Sequence, residues 1–286
     1  MKILLLGSSG LLGKSLYLSL SKNYKVIHNG LTRRKKDLIK IKNLEFLLNY
    51  KPNLIINCSG ETSIEDCEKY KKRSYNKNVN FLKKLFFLRK KKNLSFKLIH
   101  FSTDQVYNHK NFVKNNENCR PKILNYYTRT KFLSENIVKK NGGMVLRTNF
   151  FGKSKTNKDS FTDWIFRSFT GVEKFFLFDD IFFSPLRISS ICKYINIIIK
   201  NDIKSGIFNL GSKNGMSKYK FSKEFAKYTK IYSKNFTVLK SKKFFKIRRP
   251  SYMIMNCKKF EKSYKIKLPP LINEIKKESK VYLKNA

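Results

Sequence analysis

The chain has 286 residues, 41% of them hydrophobic, and 63 Lys and Arg against 19 Asp and Glu give it a formal net charge of +44. That length holds a full α/β domain plus a smaller second one, and no apolar run approaches the ~18 residues that a spanning helix needs, which excludes a helical membrane protein. Five scattered cysteines, Cys58, Cys67, Cys119, Cys192 and Cys257, include no CxxC pair, so neither a disulfide framework nor a zinc site is expected.

The charge points first toward nucleic acid or an anionic surface. No RRM, zinc-finger or basic-zipper pattern accompanies it. Alanine occurs only at Ala226 and Ala286 while Lys, Asn, Ile, Phe and Tyr recur, as in translation of an AT-rich genome. The charge is therefore read as background, with no specific nucleic-acid partner and no membrane association expected. Ile3 to Leu6 is too short for a signal peptide, so a reducing cytoplasm is the expected location.

In chain order, Lys2 to Leu6 reads as a buried parallel strand, followed at once by Gly7-Ser8-Ser9-Gly10-Leu11-Leu12-Gly13. Leu11, Leu12, Leu16 and Leu20 then continue at helical spacing. Strand, glycine turn and helix in that order form the context of a dinucleotide fingerprint: glycines allow the tight turn and let backbone N–H groups approach a pyrophosphate at the helix amino end. A second strand, Lys25 to His28, leads to Arg33-Arg34-Lys35-Lys36. No acidic residue stands there to take a ribose 2′-hydroxyl, and the basic cluster suits the 2′-phosphate of NADP; a solvated Lys/Arg run is an equally good reading.

Asp37-Leu38 opens the next connection, and Leu44 to Tyr50 reads as a short helix. The strand Leu54 to Cys58 follows, with Cys58 expected as a small buried hydrophobe. After it, Ser59, Gly60 and Thr62 form a loop whose small residues would let a cofactor lie near the backbone. A Leu/Phe helix starts at Asn78-Val79-Asn80 and runs to about Lys92. The strand Lys97 to Phe101 delivers Ser102, Thr103, Asp104 and Gln105 at its carboxyl end, facing the crevice where α/β sheets bind ligands.

The helix from Leu124 to Lys140 carries Tyr127 and Lys131 four residues apart, hence on one face about one turn apart. An ammonium there favours the phenolate and lets Tyr127 exchange a proton with a carbonyl or alkoxide near neutral pH. A solvated helix face is the alternative in a chain so rich in Tyr and Lys. Met144 to Arg147 is the next strand. Strands alternating with helices give a Rossmann-type doubly wound parallel sheet over residues 1–150. Residues 151–286 are expected to form a smaller α/β domain, which the resemblance drawn below implies to be the substrate domain, with the helix 188–200 packing back on the first. It contains strand-like Phe175 to Phe178, the strand Gly206 to Leu210, a helix from Lys218 to Lys230 and another from Asn256 to Tyr264. Arg249, beside Pro250, is either a rigidly presented phosphate ligand or surface charge.

These motifs resemble the extended short-chain dehydrogenase/reductases, specifically the branch of dTDP-4-dehydrorhamnose reductase and related sugar-nucleotide-binding proteins. The resemblance rests on Gly7-x-x-Gly10-x-x-Gly13, Asn57-Cys58-x-x-x-Thr62-x-Ile64-Glu65, Ser102-Thr103-Asp104-x-Val106-Tyr107, Tyr127-x-x-x-Lys131, Arg147-Thr148, Ser184-Pro185, Gly206 to Gly211 and Arg248-Arg249-Pro250. It implies a Thr103, Tyr127 and Lys131 triad. It also implies a cofactor site of Gly7, Ser9, Gly10, Leu11, Leu12, Gly13, Arg33, Asp37, Leu38, Cys58, Ser59, Gly60, Asn80, Tyr127 and Lys131. Thr62, Thr103, Asp104, Gln105, Asn149 and Arg249 would face the substrate. The implied reaction is NADPH-dependent reduction of the C4 keto group of a nucleotide-linked 4-keto-6-deoxyhexose, with NADH an open alternative and a homodimer an allowed assembly.

The sequence departs from that branch at Gln105, commonly Tyr, and at Asn149-Phe150-Phe151, commonly containing Trp, which leaves the hexose open. The acidic residue that some relatives use for magnesium is Ser15 here, so no metal is expected. An epimerase or 4,6-dehydratase of the same superfamily is the alternative enzyme, although a dehydratase would carry Glu where Gln105 stands. A non-catalytic cofactor-binding subunit, similar to the regulatory partner of methionine adenosyltransferase, is the third reading.

Overall fold

A computed structural model describes residues 1–28, 40–109 and 115–284. Its first elements are β1 (Lys2–Leu6), α1 (Leu11–Leu20), β2 (Lys25–His28), α2 (Ile41–Leu48), β3 (Leu54–Asn57), α3 (Ile64–Lys69) and α4 (Lys71–Tyr75). A π turn (Asn76–Asn80) leads into α5 (Phe81–Lys91), then β4 (Lys97–Thr103), α6 (Tyr126–Lys140), β5 (Met144–Thr148), β6 (Phe150–Phe151), α7 (Phe161–Thr170) and β7 (Phe175–Phe178). There follow β8 (Phe182–Phe183), β9 (Leu186–Arg187), α8 (Ile188–Lys200), β10 (Gly206–Leu210), β11 (Met216–Ser217) and α9 (Lys218–Thr229). The last are β12 (Phe236–Leu239), α10 (Ser241–Phe244), α11 (Lys258–Tyr264) and α12 (Leu271–Leu283). The chain divides into two compact units, one of Met1–Thr103, Ile123–Arg147 and Ile195–Phe208, the other of Asp104–Lys122, Thr148–Tyr194 and Asn209–Ala286.

The first unit is built on a six-stranded sheet in the order β10-β5-β4-β3-β1-β2. β1 pairs in parallel with β2 and with β3, Ile3 standing opposite both Val26 and Leu54, and β3 pairs in parallel with β4. Ile3 to Leu6 and Leu54 to Asn57 are buried at every position. Helices covering both faces of a parallel sheet require such continuous apolar runs rather than alternation. From β1 the chain steps to β2 on one side and returns to β3 on the other. That reversal opens a crevice at the carboxyl ends of β1 and β3.

α5 buries Phe81, Leu82, Leu85, Phe86 and Leu88 and carries Lys83, Lys84, Arg89, Lys90 and Lys91 on its other face. Leu82 and Leu85 join Leu6, Ile55, Leu98 and Val145 in one core cluster, where a fully buried Leu is worth roughly 1.5–3 kcal/mol. Because β4 lies inside the sheet, its ladder extends through Thr103, beyond the Phe101 limit of the apolar run. α6 starts at Tyr126 rather than Leu124 because Asn125 caps it. The Asn125 side chain accepts from the Thr128 backbone N–H at 2.9 Å, and the Thr128 hydroxyl accepts from Asn125 N–H at 3.3 Å.

The second unit has an aromatic core containing Phe151, Phe169, Phe175, Phe183, Phe221, Phe225 and Tyr282. Phe151 and Phe221 meet edge to face at 4.8 Å, the arrangement that ring quadrupoles favour. α7, β12 and α12 fall outside the sequence expectations. The amino end of α7 does carry a local signal, a capping box in which Ser160 and Asp163 exchange hydrogen bonds. Among the described residues no helix is long and apolar enough to cross a membrane.

Candidate active site

The glycine turn is fitted to the sheet by close approach. Gly7 has φ +84°, and a Cβ there would stand 2.6–2.8 Å from the Cys58–Ser59 peptide. A Cβ on Gly13 would stand 2.0 Å from the Gly7 carbonyl oxygen. α1 begins at Leu11 with Gly10 as a cap that offers no side-chain acceptor. Its first N–H groups, from Leu11, Leu12 and Gly13, are thereby aimed past the turn, where an anion is favoured. Ser9 and Gly10 are exposed, Leu11 is half-buried and Leu12 is buried. Across the crevice from β1, Ser59 and Gly60 follow β3, and Cys58 is half-buried rather than fully buried because it ends the strand at this opening. Thr62 is exposed in the same loop.

The π turn widens the helix between α4 and α5 and presents Asn78 to its surroundings. Asn78 Oδ1 accepts from Glu61 N–H at 2.7 Å, while its amide donates to the Glu61 carbonyl at 3.0 Å and to the Thr130 hydroxyl at 2.9 Å. The Thr130 hydroxyl donates to the Tyr127 carbonyl at 2.8 Å. The loop after β3 is thus tied to the turn of α6 that bears Tyr127. Asn80, half-buried, donates to Asn76 Oδ1 at 2.6 Å.

Thr103, Tyr127 and Lys131 are all buried. Thr103 ends β4, and Tyr127 and Lys131 share one face of α6. The Lys131 ammonium donates to the Phe101 carbonyl at 2.6 Å. Burial lowers its pKa to about 8, opposed by Glu135 and by the thiols of Cys58 and Cys67. His100, next to Phe101 on β4, is held well below the usual imidazole range by burial and then by the Lys131 cation. One turn further along α6, Glu135 accepts from the Ser102 hydroxyl at 2.5 Å and from Arg147 at 3.1, 3.1 and 2.6 Å. That ion pair is buried on both sides and fixes α6 to the ends of β4 and β5.

In the second unit Asp104 is buried and accepts from the Asn149 amide at 2.9 Å. Gln105 is half-buried in the same short turn. The guanidinium of Arg249 lies 3.8 Å from the Phe245 ring centroid. Desolvation lowers the Lys218 pKa to about 8, with the Arg249 charge in the same direction and Asp104 opposing. Lys218 also lines a cavity of about 390 Å³ with Phe161, Trp164, Lys174, Phe175 and Phe244. Phe161 and Trp164 are stacked there at 5.9 Å.

Arg33, Asp37 and Leu38, the remaining expected cofactor contacts, lie outside the described residues. Asn78, Glu135 and the aromatic cavity are absent from the sequence expectations. Ser134 and Glu135 at three and four residues after Lys131 share its helix face, a spacing that signals their proximity. The cavity, assembled from distant segments, leaves no comparable trace.

A glycine turn after the first strand, placed where the strand order reverses, defines an α/β protein of Rossmann type. The chain belongs to the RmlD substrate binding domain family, whose model matches residues 1–283. No curated protein matches the sequence. Among solved structures it is similar to the dTDP-4-dehydrorhamnose reductase of Bacillus anthracis in complex with NADP, at 20% identity and TM-score 0.85 over 97% of this chain and 98% of that one. It is also similar to a dTDP-4-dehydrorhamnose reductase of Clostridium acetobutylicum, at 22% identity and TM-score 0.86 over 99% of each chain. The UDP-glucose 4-epimerase of Thermotoga maritima with UDP-glucose is likewise similar, at 16% identity and TM-score 0.84 over 100% and 99%. These likenesses establish the fold.

Proposed function

We propose that the protein is an NADPH-dependent reductase of the C4 keto group of a nucleotide-linked 4-keto-6-deoxyhexose, similar to dTDP-4-dehydrorhamnose reductase. The observation that carries this reading is the burial of Tyr127 and Lys131 on one face of α6, with Lys131 bonded to Phe101 of β4, the strand that ends at the buried Thr103, in the same unit as the glycine turn. The crevice fits a dinucleotide. Gly7 and Gly13 leave no room for a Cβ, and the uncapped amino end of α1 supplies N–H donors for a pyrophosphate. Gly7, Gly10, Leu11, Leu12, Gly13, Ser59 and Gly60 would hold it.

When bound, the reduced nicotinamide supplies hydride to the substrate carbonyl carbon. Tyr127 gives its phenolic proton to the carbonyl oxygen, so that an alcohol is released and the phenolate regains its proton from water. Thr103 donates a hydrogen bond to the same oxygen as its charge grows. The Lys131 cation, still largely protonated at neutral pH, stabilises the phenolate. Asp104, Gln105, Asn149 and Arg249 are the polar groups assigned to the substrate. In the second unit the stacked Phe161 and Trp164, with Lys174 and Lys218, offer ring faces and cations to a nucleotide.

The reading places the enzyme in the cytoplasm, where NADPH and activated sugars are available, and light scattering tests the homodimer. Its direct test is incubation with NADPH or NADH and a panel of nucleotide-4-keto sugars, following loss of nicotinamide absorbance and identifying the product. Substrate-dependent oxidation with NADPH preferred supports it. Conversion without net cofactor oxidation would favour the epimerase, and cofactor binding with no turnover of any sugar would favour the non-catalytic subunit.

A further inference from the structure

A continuous run of polar contacts, part-buried at Ser59 and buried from Asn57 onward, crosses the first unit. The Ser59 N–H and hydroxyl donate to Asn57 Oδ1 at 3.0 and 2.7 Å. Asn57 Nδ2 lies 2.8 Å from His100 Nδ1, and His100 Nε2 lies 3.0 Å from the Ser134 hydroxyl oxygen. That hydroxyl in turn donates to the Lys131 carbonyl at 2.6 Å.

The donor inventory leaves one assignment. Asn57 Oδ1 is engaged by two Ser59 donors, so its NH₂ faces the ring and His100 Nδ1 must accept. Ser134 has one hydrogen, given to Lys131, so its oxygen must accept from His100 Nε2–H. A protonated ring would turn Nδ1 into a donor facing another donor, and an Asn57 flip to relieve it would break both Ser59 bonds.

We propose that His100, as the neutral Nε2–H tautomer, is a positioning residue that couples the Cys58–Gly60 turn lying against Gly7 to the turn of α6 that carries Lys131. His100 is next to Phe101 on β4, whose carbonyl takes the Lys131 ammonium. Lys131 is therefore gripped at both ends from two successive residues of one strand, its backbone through Ser134 and His100 and its side chain by Phe101. The same imidazole sets the Asn57 amide that orients Ser59. Insofar as the coupled parts bind a cofactor and set a proton donor, the inference rests on the reductase reading.

The test uses the full chain and three variants, H100L, H100Q and S134A. Histidine ¹⁵N NMR of the wild type should show one of the three imidazoles held as the Nε2–H tautomer from roughly pH 5 to 8, and that signal should vanish in H100Q. H100L should raise the NADPH dissociation constant about tenfold, equivalent to about 1.4 kcal/mol. It should lower kcat about tenfold with substrate KM within about twofold. H100Q carries one acceptor and one donor on a single amide and should recover most of both losses. S134A, which cuts only the Lys131 end of the run, should lower kcat and raise the NADPH dissociation constant by less than H100L does.

H100L with wild-type affinity and kcat per folded molecule, and only a lower urea midpoint, would overturn the inference. So would a charged or Nδ1–H ring at that position, a result that needs no variant to fold. Absence of NADPH binding by the wild type would instead overturn the reductase reading, and the tautomer measurement would still decide the coupling.

Discussion

Gly10 and Gly13 belong to one motif, yet alanine at the two positions should have very different effects. At Gly13, the third residue of α1, helix propensity favours Ala by roughly 1 kcal/mol. The added Cβ, however, would stand 2.0 Å from Gly7 O, 2.7 Å from Gly7 C and 3.0 Å from Ser8 Cα. Ordinary contact begins near 3.4 Å, so 3.4 − 2.0 = 1.4 Å of separation must be opened. Every atom in the way is backbone, held in place by Gly7 against the Cys58–Ser59 peptide. Overpacking of this kind costs typically 1–3 kcal/mol, and an obstruction with no rotamer to yield belongs at the upper end. Sterics outweigh propensity, and Gly13→Ala should lose about 2 kcal/mol net. At Gly10 the backbone is extended (φ −81°, ψ 166°) and the Cβ would meet Gly7 O only at 3.5 Å. Gly10→Ala should therefore cost well under about 1 kcal/mol, the scale of a lost glycine cap. Urea denaturation of both variants, with NADPH titration alongside, measures the contrast. Equal stability of the two would refute the close-approach account of the turn, whatever the protein's activity.

Tyr127→Phe should leave NADPH binding nearly intact and lower turnover by roughly 10²–10⁴; unchanged turnover would remove Tyr127 as the proton donor. Lys131 has a folded pKa of about 8 against an ordinary 10.5, so between those values the folded chain has released a proton that the unfolded chain keeps. Stability should thus rise with pH across that window, by up to about 3 kcal/mol from this group. Urea midpoints of the wild type and Lys131→Met from pH 7 to 10 isolate the contribution, and parallel curves would count against it. Arg147→Met leaves Glu135 buried without its bidentate partner and should cost about 3–5 kcal/mol, most of it regained in the E135L/R147M double variant. If the single and double variants unfold at the same urea concentration, the pair is not coupled.

The alternation of apolar runs with helical spacing by itself determined the parallel sheet of the first unit. Ile3 to Leu6, Leu54 to Asn57, Leu98 to Phe101 and Met144 to Arg147 are buried on both faces, and few structures other than a helix-covered parallel strand tolerate such runs. The glycine spacing after Leu6 and the four-residue spacing of Tyr127 and Lys131 are equally local, because a tight turn and a helix face are each specified within a few residues. Long-range pairing lies beyond that reach. That Gly13 meets Gly7, that Asn78 ties Glu61 to Thr130, and that Glu135 is matched by Ser102 and Arg147 depend on which segments the sheet order makes neighbours. His100 shows the difference most plainly. On its own strand it is one more buried residue. Only the packing of β3 and α6 on either side of β4 gives its two nitrogens opposite partners and so sets its tautomer.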